Sequence, residues 1–407
     1  MKSLNTLKIT AAAAAAALLC GCGNTFIKPS GQEEPPAVHD ETYTYLVRKL
    51  DTFLTDGYVL PETDGHQRTV EWSVAEGDAS ISGGVISKTE AAGEYEQIVL
   101  NACIDGNNYE IPKLLLDPYA GYVITYFTPE GEDGEKLKLA YTFDSLYWYK
   151  LNEDQPVLSA SLGTKRLRDP SAVRKKDGSF ALLATQGYDN DSIYVFDTED
   201  FITYENERLL KVNASSSELK MSESAAWAPE AFYNPAEDNY VIYWSSVPDG
   251  GMYYNTSSDL QSISYPKVLF DTGYEVIDGT IIKTDGEYVL IGKDERQPME
   301  EYSQIFRATS SVSDWRSFDT FENPVYDRHQ VEGPMVMRSL YEDYWFIYVD
   351  DYTRGQYHGI FTKDLVNGEF LYMWEGDLLI PMEHPAHSYA LPVTWKELER
   401  LINAYGS

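Results

Sequence analysis

The chain is 407 residues long and strongly acidic, with 65 Asp and Glu side chains against 32 Lys and Arg and a formal net charge of −33. Such a charge repels phosphate backbones, which excludes nucleic acid as an expected partner and disfavours strongly anionic polysaccharides. Neutral glycans stay compatible with it, and the 14% of aromatic residues suits stacking on sugar rings as well as packing within β-sheets.

The N-terminal segment has the pattern of an export signal rather than of a folded element. Lys2 and Lys8 precede an apolar, alanine-rich run over residues 9–19 that is too short to span a bilayer. Leu19-Cys20-Gly21-Cys22 then resembles a bacterial lipobox in which Cys22 carries the lipid, with an ordinary secretory signal as the alternative. Residues 23–40 are expected to form a flexible tether. These features predict a protein of the bacterial cell envelope, anchored by lipid to the outer membrane on its periplasmic or surface side.

Residues 41–113 are predicted to form a small β domain. An amphipathic stretch over residues 41–56 predicts a short helix, and short strands of alternating apolar residues follow it to about residue 111. The strand at Trp72, the hairpin around Gly84 and the strand that ends near Ala102 resemble those of small bacterial immunoglobulin-like domains. The resemblance implies a spacer.

From about residue 114 onwards, a unit of roughly 50–60 residues repeats five times. Each unit has an apolar, aromatic-rich strand and then a strand that runs into a polar turn. The former begin at Tyr122, Phe180, Tyr240, Tyr288 and Tyr344, and the latter at Leu139, Tyr194, Tyr253, Ile305 and Gly359. No long helical periodicity interrupts these units. The pattern predicts an all-β chain with a five-bladed β-propeller over residues 114–407.

In five places an ionisable residue opens a further hydrophobic strand. These openers are Asp169, Glu230, Asp278, Glu332 and His387. We interpret the strands as the innermost strands of the blades, so that the openers share one register and surround one funnel. The first unit has no opener and the last opener has no strand after it, which predicts that the C-terminal strand closes the first blade. Residues 395–404 are expected to form a short closing helix.

Carboxylates that converge in this way have the composition needed to hydrolyse a glycosidic bond. Inversion requires one carboxylic acid that protonates the leaving oxygen and one carboxylate that activates water on the opposite face of the sugar. A third carboxylate nearby holds the pKa of the acid up by like-charge repulsion. Taken singly, an Asp before Pro is more often a turn cap, so the prediction rests on the repetition.

The propeller region, over roughly residues 120–405, resembles glycoside hydrolase family 43, whose five-bladed enzymes act mainly on arabinofuranosides and xylosides. The motifs that carry the resemblance are Asp169-Pro170, Trp227-Ala228-Pro229-Glu230, Ile277-Asp278, Glu332-Gly333-Pro334 and His387. It implies that Asp169 is the general base, Asp278 the pKa modulator and Glu332 the general acid. It also implies one axial Ca²⁺ or Na⁺ near His387, and no other cofactor.

Four further residues are candidates for substrate binding. Trp227 and Glu230 belong to one of the family motifs, Arg168 precedes the base, and Arg296 ends the charged run Lys293-Asp294-Glu295-Arg296. Three of them have an alternative: Trp227 as a core residue, Arg168 as the ion-pair partner of Asp169, and Arg296 as part of a solvated loop.

The chain departs from the family pattern at three points. Arg168 stands where Ala or His is usual, Gly279 replaces Pro, and the Arg-His-Gly triplet is missing around His387. The predicted function is that of a monomeric, inverting hydrolase of neutral plant glycans, of the α-L-arabinofuranosidase, arabinanase or β-xylosidase type. The alternatives are a glycan-binding lipoprotein that has lost turnover and a propeller interaction module in which the acids only cap turns.

Overall fold

The computed structural model of the chain describes residues 40–284, 287–310 and 314–406. Cys22, the predicted signal and nearly all of the predicted tether lie outside these residues. The described part is mostly β-structure, as predicted. Neither of its two α-helices is long and apolar enough to cross a membrane.

The N-terminal unit combines one helix with a small sheet. Its helix α1 (Glu41–Lys49) begins where Asp40 accepts a hydrogen bond from the backbone N–H of Thr42, and its last turn is basic, which complements the helix dipole. Its strands are β1 (Leu54–Thr55), β2 (Glu71–Glu76), β3 (Ala79–Ser82), β4 (Val85–Lys88), β5 (Glu96–Ile104) and β6 (Asn107–Leu116). They form a four-stranded sheet in the order β1-β6-β5-β2 and a separate β3–β4 hairpin, so the immunoglobulin-like assignment stays a prediction.

The remaining strands form five four-stranded antiparallel sheets, which we call blades 1 to 5 in the order in which their second strands occur in the chain. The strands in chain order are β7 (Tyr119–Phe127), β8 (Lys138–Thr142), β9 (Trp148–Lys150), β10 (Leu167–Arg174), β11 (Phe180–Gln186), β12 (Ile193–Thr198), β13 (Glu205–Leu210), β14 (Trp227–Asn234), β15 (Asn239–Ser246), β16 (Gly251–Ser257), β17 (Lys267–Phe270), β18 (Val276–Lys283), β19 (Tyr288–Asp294), β20 (Ile305–Ser310), β21 (Phe318–Tyr326), β22 (Glu332–Arg338), β23 (Trp345–Asp351), β24 (Gln356–Thr362), β25 (Leu371–Tyr372) and β26 (Ala386–Thr394). Blade 1 is β26-β7-β8-β9, blade 2 is β10–β13, blade 3 is β14–β17, blade 4 is β18–β21 and blade 5 is β22–β25.

The C-terminal strand joins the first blade, as predicted. β26 pairs antiparallel with β7, for example Leu391 opposite Val123. The five innermost strands also contact one another in a ring, in the order β10, β14, β18, β22, β26 and back to β10. The mouth ends of these strands therefore lie close together, although they are far apart in the sequence.

Helix α2 (Trp395–Tyr405) ends the described chain and confirms the predicted closing helix. A capping box forms between Thr394 and Glu397 at its start. The Glu397 carboxylate is buried and pairs with Arg174 of blade 2, while Tyr95 of the N-terminal unit donates a hydrogen bond to it. This ion pair joins the helix, a blade and the N-terminal unit. The sheet of that unit runs to Leu116, beyond the predicted boundary at residue 113.

Candidate active site

Every innermost strand is interrupted by a β-bulge at its mouth end. The first bulged residues are Asp169, Ala228, Asp278, Gly333 and His387, with φ angles of 46°, 48°, 56°, 53° and 32°. A left-handed backbone is costly for every residue except glycine, so its recurrence in all five blades marks an imposed geometry. Bulges turn side chains away from the regular alternation of a strand, and here they turn them toward one axis.

The bulges show that the predicted common register is wrong for two of the five openers. Asp169, Asp278 and His387 occupy the equivalent position, but Glu332 immediately precedes the bulge of its strand, and Glu230 follows the bulge of its own. In each strand the position of the bulge is set by the residue that follows the first bulged residue, and not by the charged opener. That residue is Pro170, Pro229, Gly279, Pro334 or Ser388. Proline is tolerated there because the ladder of hydrogen bonds is already broken.

His387 links two of the predicted catalytic carboxylates. Its Nδ1 lies 3.6 Å from Oδ1 of Asp169 and 3.7 Å from Oδ2 of Asp278. The same Oδ2 of Asp278 accepts a hydrogen bond from the backbone N–H of Gly333 at 3.0 Å. Asp278 is thereby attached to the residue that follows Glu332. The structure thus brings together Asp169, Asp278, His387 and the backbone that carries Glu332.

Burial and neighbouring charges shift the pKa values of these groups. Burial raises the pKa of Asp278 to about 6, with Glu332 adding to the effect and His387 opposing it. Burial alone lowers the pKa of His387, but the carboxylates around it, Asp278 and Asp169 first, raise it above its ordinary value. The imidazole is therefore inclined to carry a positive charge among acids.

Two charged residues of this site were missed at the level of sequence. Asp350, opposite Glu332 in β23, is buried and accepts a hydrogen bond from the backbone N–H of His387 at 3.2 Å. Burial, and then Glu332, raise the pKa of Asp350 to about 8. Lys293 of β19 likewise lies opposite the residue that precedes the bulge in its sheet. It donates a hydrogen bond to Oε2 of Glu332 at 2.9 Å. Their signal in the sequence is a charged residue directly after the apolar run of a second strand.

Glu230 is held by hydrogen bonds within the protein, close enough to His387 and Asp278 for their charges to affect it, and its substrate role stays a prediction. It is buried, and it accepts hydrogen bonds from the hydroxyl groups of Tyr243 and Thr280. Burial raises its pKa to about 7. Glu230 is therefore part of the packed interior beneath the bulge.

Arg168 and Trp227 form a wall with Tyr188, a half-exposed residue that was not among the predicted site residues. The Arg168 guanidinium lies between the rings of Phe127 and Tyr188, 4.8 and 4.6 Å from their centroids. It donates a hydrogen bond to Glu135 at 3.1 Å, and, against the effect of burial, the charge of Asp169 also acts on it and raises its pKa. The indole N–H of Trp227 donates to the backbone oxygen of Tyr188 at 2.7 Å. The wall presents aromatic surface next to Asp169.

Arg296 is held by other groups. Its guanidinium pairs with Asp294 and lies 4.0 Å from the ring centroid of Tyr274 and 4.2 Å from that of Tyr302. About a third of its side chain is exposed. The structure gives it no contact with Asp169, Asp278 or Glu332 among the described residues, and its substrate role stays a prediction.

The residues present do not provide a metal-binding set around His387. The described residues contain no group of three or more His, Cys, Asp or Glu side chains placed to hold a metal ion. His387 is also inclined toward the protonated form, which has no lone pair to offer a metal. We therefore derive no step through a cation, and the axial ion stays a prediction.

A cleft of about 760 Å³ lies away from these carboxylates, between α1 and the ends of β18 and β22 opposite the mouth. Its lining includes Arg48, Lys49, Arg338 and Asp343, none of which contacts a residue of the candidate site. We place the site by its paired acids and shifted pKa values rather than by this cleft.

Comparison with known proteins identifies the class. Residues 117–399 match the family model of the glycoside hydrolase 43 group described as "Probable glycosyl hydrolase domain". An α-L-arabinofuranosidase of Bifidobacterium longum is 25% identical over 223 residues, which are 45% of this chain and 20% of the relative. The match thus spans a fifth of the length of that curated relative.

Solved structures of the same group are more distant. A family-43 β-1,3-galactosidase with galactodeoxynojirimycin has 12% identity and a TM-score of 0.47, over 66% of this chain and 96% of its own. A xylan β-1,4-xylosidase from Bacillus halodurans has 16% identity and a TM-score of 0.38, over 51% of this chain and 42% of its own. The match to the family model covers most of the chain, so this chain has the glycosyl hydrolase-type domain that the model describes. It belongs to glycoside hydrolase family 43.

Proposed function

We propose that this glycosidase hydrolyses O-glycosidic bonds of neutral plant glycans with inversion, on an α-L-arabinofuranoside, an arabinan or a β-xyloside. The observation that carries the proposal is the group formed by His387 between Asp169 and Asp278, with Asp278 bonded to the N–H that follows Glu332. The similarity to an α-L-arabinofuranosidase supports an arabinofuranoside among these substrates.

The proposed reaction is a single displacement. Asp169 takes a proton from water as the water oxygen attacks the anomeric carbon, and Glu332 gives its proton to the departing oxygen as the glycosidic bond breaks. The two carboxyl groups of such a pair stand about 6.5–9.5 Å apart to leave room for the water. Asp278 acts on Glu332 through its charge and through the Gly333 N–H, and imidazolium at His387 balances the ionised acids. The wall of Arg168, Trp227 and Tyr188 is the surface on which we expect the sugar to stack.

The test is hydrolysis of aryl α-L-arabinofuranoside, aryl β-xyloside and linear arabinan. We expect activity on at least one of them, with kcat reduced more than about 10³-fold in Asp169→Asn and in Glu332→Gln. Asp343→Asn, a change of an exposed carboxylate, is the matched control. Proton NMR of the first product should show the anomer opposite to that of the substrate. Sugar binding without turnover, in the parent and the variants alike, would instead support the glycan-binding lipoprotein, and full activity of Glu332→Gln would remove that residue as the acid.

We also propose, for the chain as a whole, a closed five-bladed propeller behind an immunoglobulin-like spacer, lipid-anchored through Cys22 and monomeric. The short apolar run before the Cys20-Gly21-Cys22 segment supports the anchor. We expect the expressed protein in the outer-membrane fraction and Cys22→Ser in the soluble envelope fraction. If the parent protein and Cys22→Ser are distributed equally between these fractions, the lipid anchor is contradicted.

A further inference from the structure

A buried lysine stands next to the proposed general acid. The side chain of Lys293 is 2% exposed, and its Nζ lies 2.9 Å from Oε2 of Glu332 and 2.8 Å from Oε2 of Glu295. Glu332 accepts a hydrogen bond from the ammonium, and Glu295 forms an ion pair with it. The ring of Tyr352 covers the ammonium with its centroid 5.0 Å away. The ammonium and Glu295 thus have little access to water, whereas 29% of the Glu332 side chain is exposed.

We propose that Glu295 is the permanent counter-ion of Lys293, and that this pair is a positioning device that lets Glu332 give up and regain its proton without leaving a buried ammonium unpaired. This inference rests on the proposed role of Glu332 as the general acid. Glu295 and Lys293 themselves are positioning residues, because neither is required to touch the reacting atoms.

The reason is the cost of an uncompensated buried charge. If Glu332 were the sole partner of Lys293, each protonation of Glu332 would leave the ammonium alone in a dry site, which is strongly unfavourable. With Glu295 present, the three groups carry one net negative charge when Glu332 is ionised and no net charge when Glu332 is protonated. The trio is therefore electrically balanced in the form in which Glu332 donates its proton.

The fold brings these groups together from different blades. Lys293 and Glu295 come from the mouth end of β19 in blade 4, and Glu332 opens β22 in blade 5. Other charged groups face the trio: Asp278 from β18, Asp350 from β23, His387 from β26 and Glu275 beside Glu295.

The ionisation of the pair is consistent with this role. Burial lowers the pKa of Lys293, but Glu332 and Glu295 outweigh it and raise that pKa above its ordinary value, so the ammonium is retained. Burial raises the pKa of Glu295 above its ordinary value, and Lys293 opposes this shift without cancelling it, so the ionised form of Glu295 depends on the ammonium beside it.

The test compares two variants that remove opposite charges. The measurement is the pH dependence of kcat/KM on an aryl glycoside, whose alkaline limb reports loss of the proton from the general acid. In Glu295→Gln the ammonium has Glu332 as its remaining close carboxylate, so we expect the alkaline limb to move down by about one pH unit or more. In Lys293→Met we expect the alkaline limb to move up by a similar amount, because the positive charge that favours ionised Glu332 is removed. The double variant should return toward the parent, and Glu301→Gln, an exposed acid of the same segment, should leave the limb in place.

The outcomes separate this inference from the proposed function. If Glu332→Gln is inactive but neither variant moves the limb, or both move it in the same direction, the counter-ion role is wrong while Glu332 remains the acid. If Glu332→Gln is fully active, the proposed function fails first. If Glu295→Gln loses all activity, the double variant with Lys293→Met decides the question. Activity in the double variant supports the counter-ion role, and an inactive double variant overturns it. Lys293→Arg, which retains the charge, should keep the position of the limb.

Discussion

Asp278→Asn should make the protein more stable at neutral pH while it abolishes turnover. The carboxyl group of Asp278 is buried beside Glu332, and its pKa is raised from 3.8 to about 6. A carboxyl group whose pKa is raised on folding binds its proton more tightly in the folded state. The stability of the protein is therefore highest at a pH below the unfolded pKa and falls as the pH rises through the folded one.

The size of the effect follows from that shift. A difference of about two pKa units corresponds to about 3 kcal/mol of destabilisation by the ionised carboxylate at pH 7. Asparagine has nearly the same shape and no charge, and its oxygen can still accept the hydrogen bond from the Gly333 N–H. We expect Asp278→Asn to gain between about 1 and 3 kcal/mol at pH 7 and close to nothing at pH 4, because the native aspartate is itself protonated there.

Urea unfolding at pH 4 and pH 7 measures this difference, and hydrolysis of the aryl glycoside at pH 7 measures the accompanying loss of activity. Asp343→Asn removes an exposed carboxylate and should change neither quantity. A variant that is no more stable than the parent at pH 7, or that gains equally at both pH values, would show that Asp278 is not held in the unfavourable ionised form that we describe.

Two other changes test the geometry around the site, and a third tests a buried lysine of the N-terminal unit. Gly333→Ala places a Cβ 3.0 Å from Cα and Cγ of His387 at a φ of 53°, so we expect a loss of about 1–2 kcal/mol from the backbone alone and a lower kcat; unchanged unfolding and unchanged turnover would refute the contact. Arg168→Lys keeps the charge but loses the planar group between two rings, so unfolding in urea should show a loss of about 1 kcal/mol, and stability equal to that of the parent would argue against the stacking. Lys113 is buried, and desolvation lowers its pKa to about 7. Between pH 7 and 10 this side chain is therefore protonated in the unfolded chain but not in the folded protein. Lys113→Met should therefore stabilise the protein most at pH 6 and progressively less toward pH 10, and a gain that does not depend on pH would contradict this sign.

The large-scale architecture could be predicted because it depends on patterns that one segment carries by itself. Apolar runs such as those beginning at Tyr240 and Tyr288 need only their own length and the turns that bound them to indicate a strand. The closing strand at His387 was predictable by counting units, since an unpaired strand at each end of the repeat requires a partner. Helix α2 was expected as the tail that follows the closing strand.

The site was predictable only where a local motif fixes the backbone. Asp169 and Asp278 precede Pro170 and Gly279 in a bulge, and the bulge decides where their side chains point. Aligning the repeats by their charged residues misplaced Glu230, because its blade has the same bulge at Ala228 and a buried acid beyond it. Alignment on the proline or small residue would have given the correct register.

Lys293 and Asp350 could not be predicted from a local motif, because their contacts depend on which blades are neighbours. Each lies opposite the residue before a bulge in its own sheet, and each acquires its function from contact with the next blade: Lys293 with Glu332, and Asp350 with the N–H of His387. A lysine at the end of an apolar strand is usually solvated, and nothing local indicates that this one is buried between two glutamates. The family motifs therefore identify the groups that we propose act on the sugar, whereas the charges beside them come from second strands and become visible only when the ring of blades is assembled.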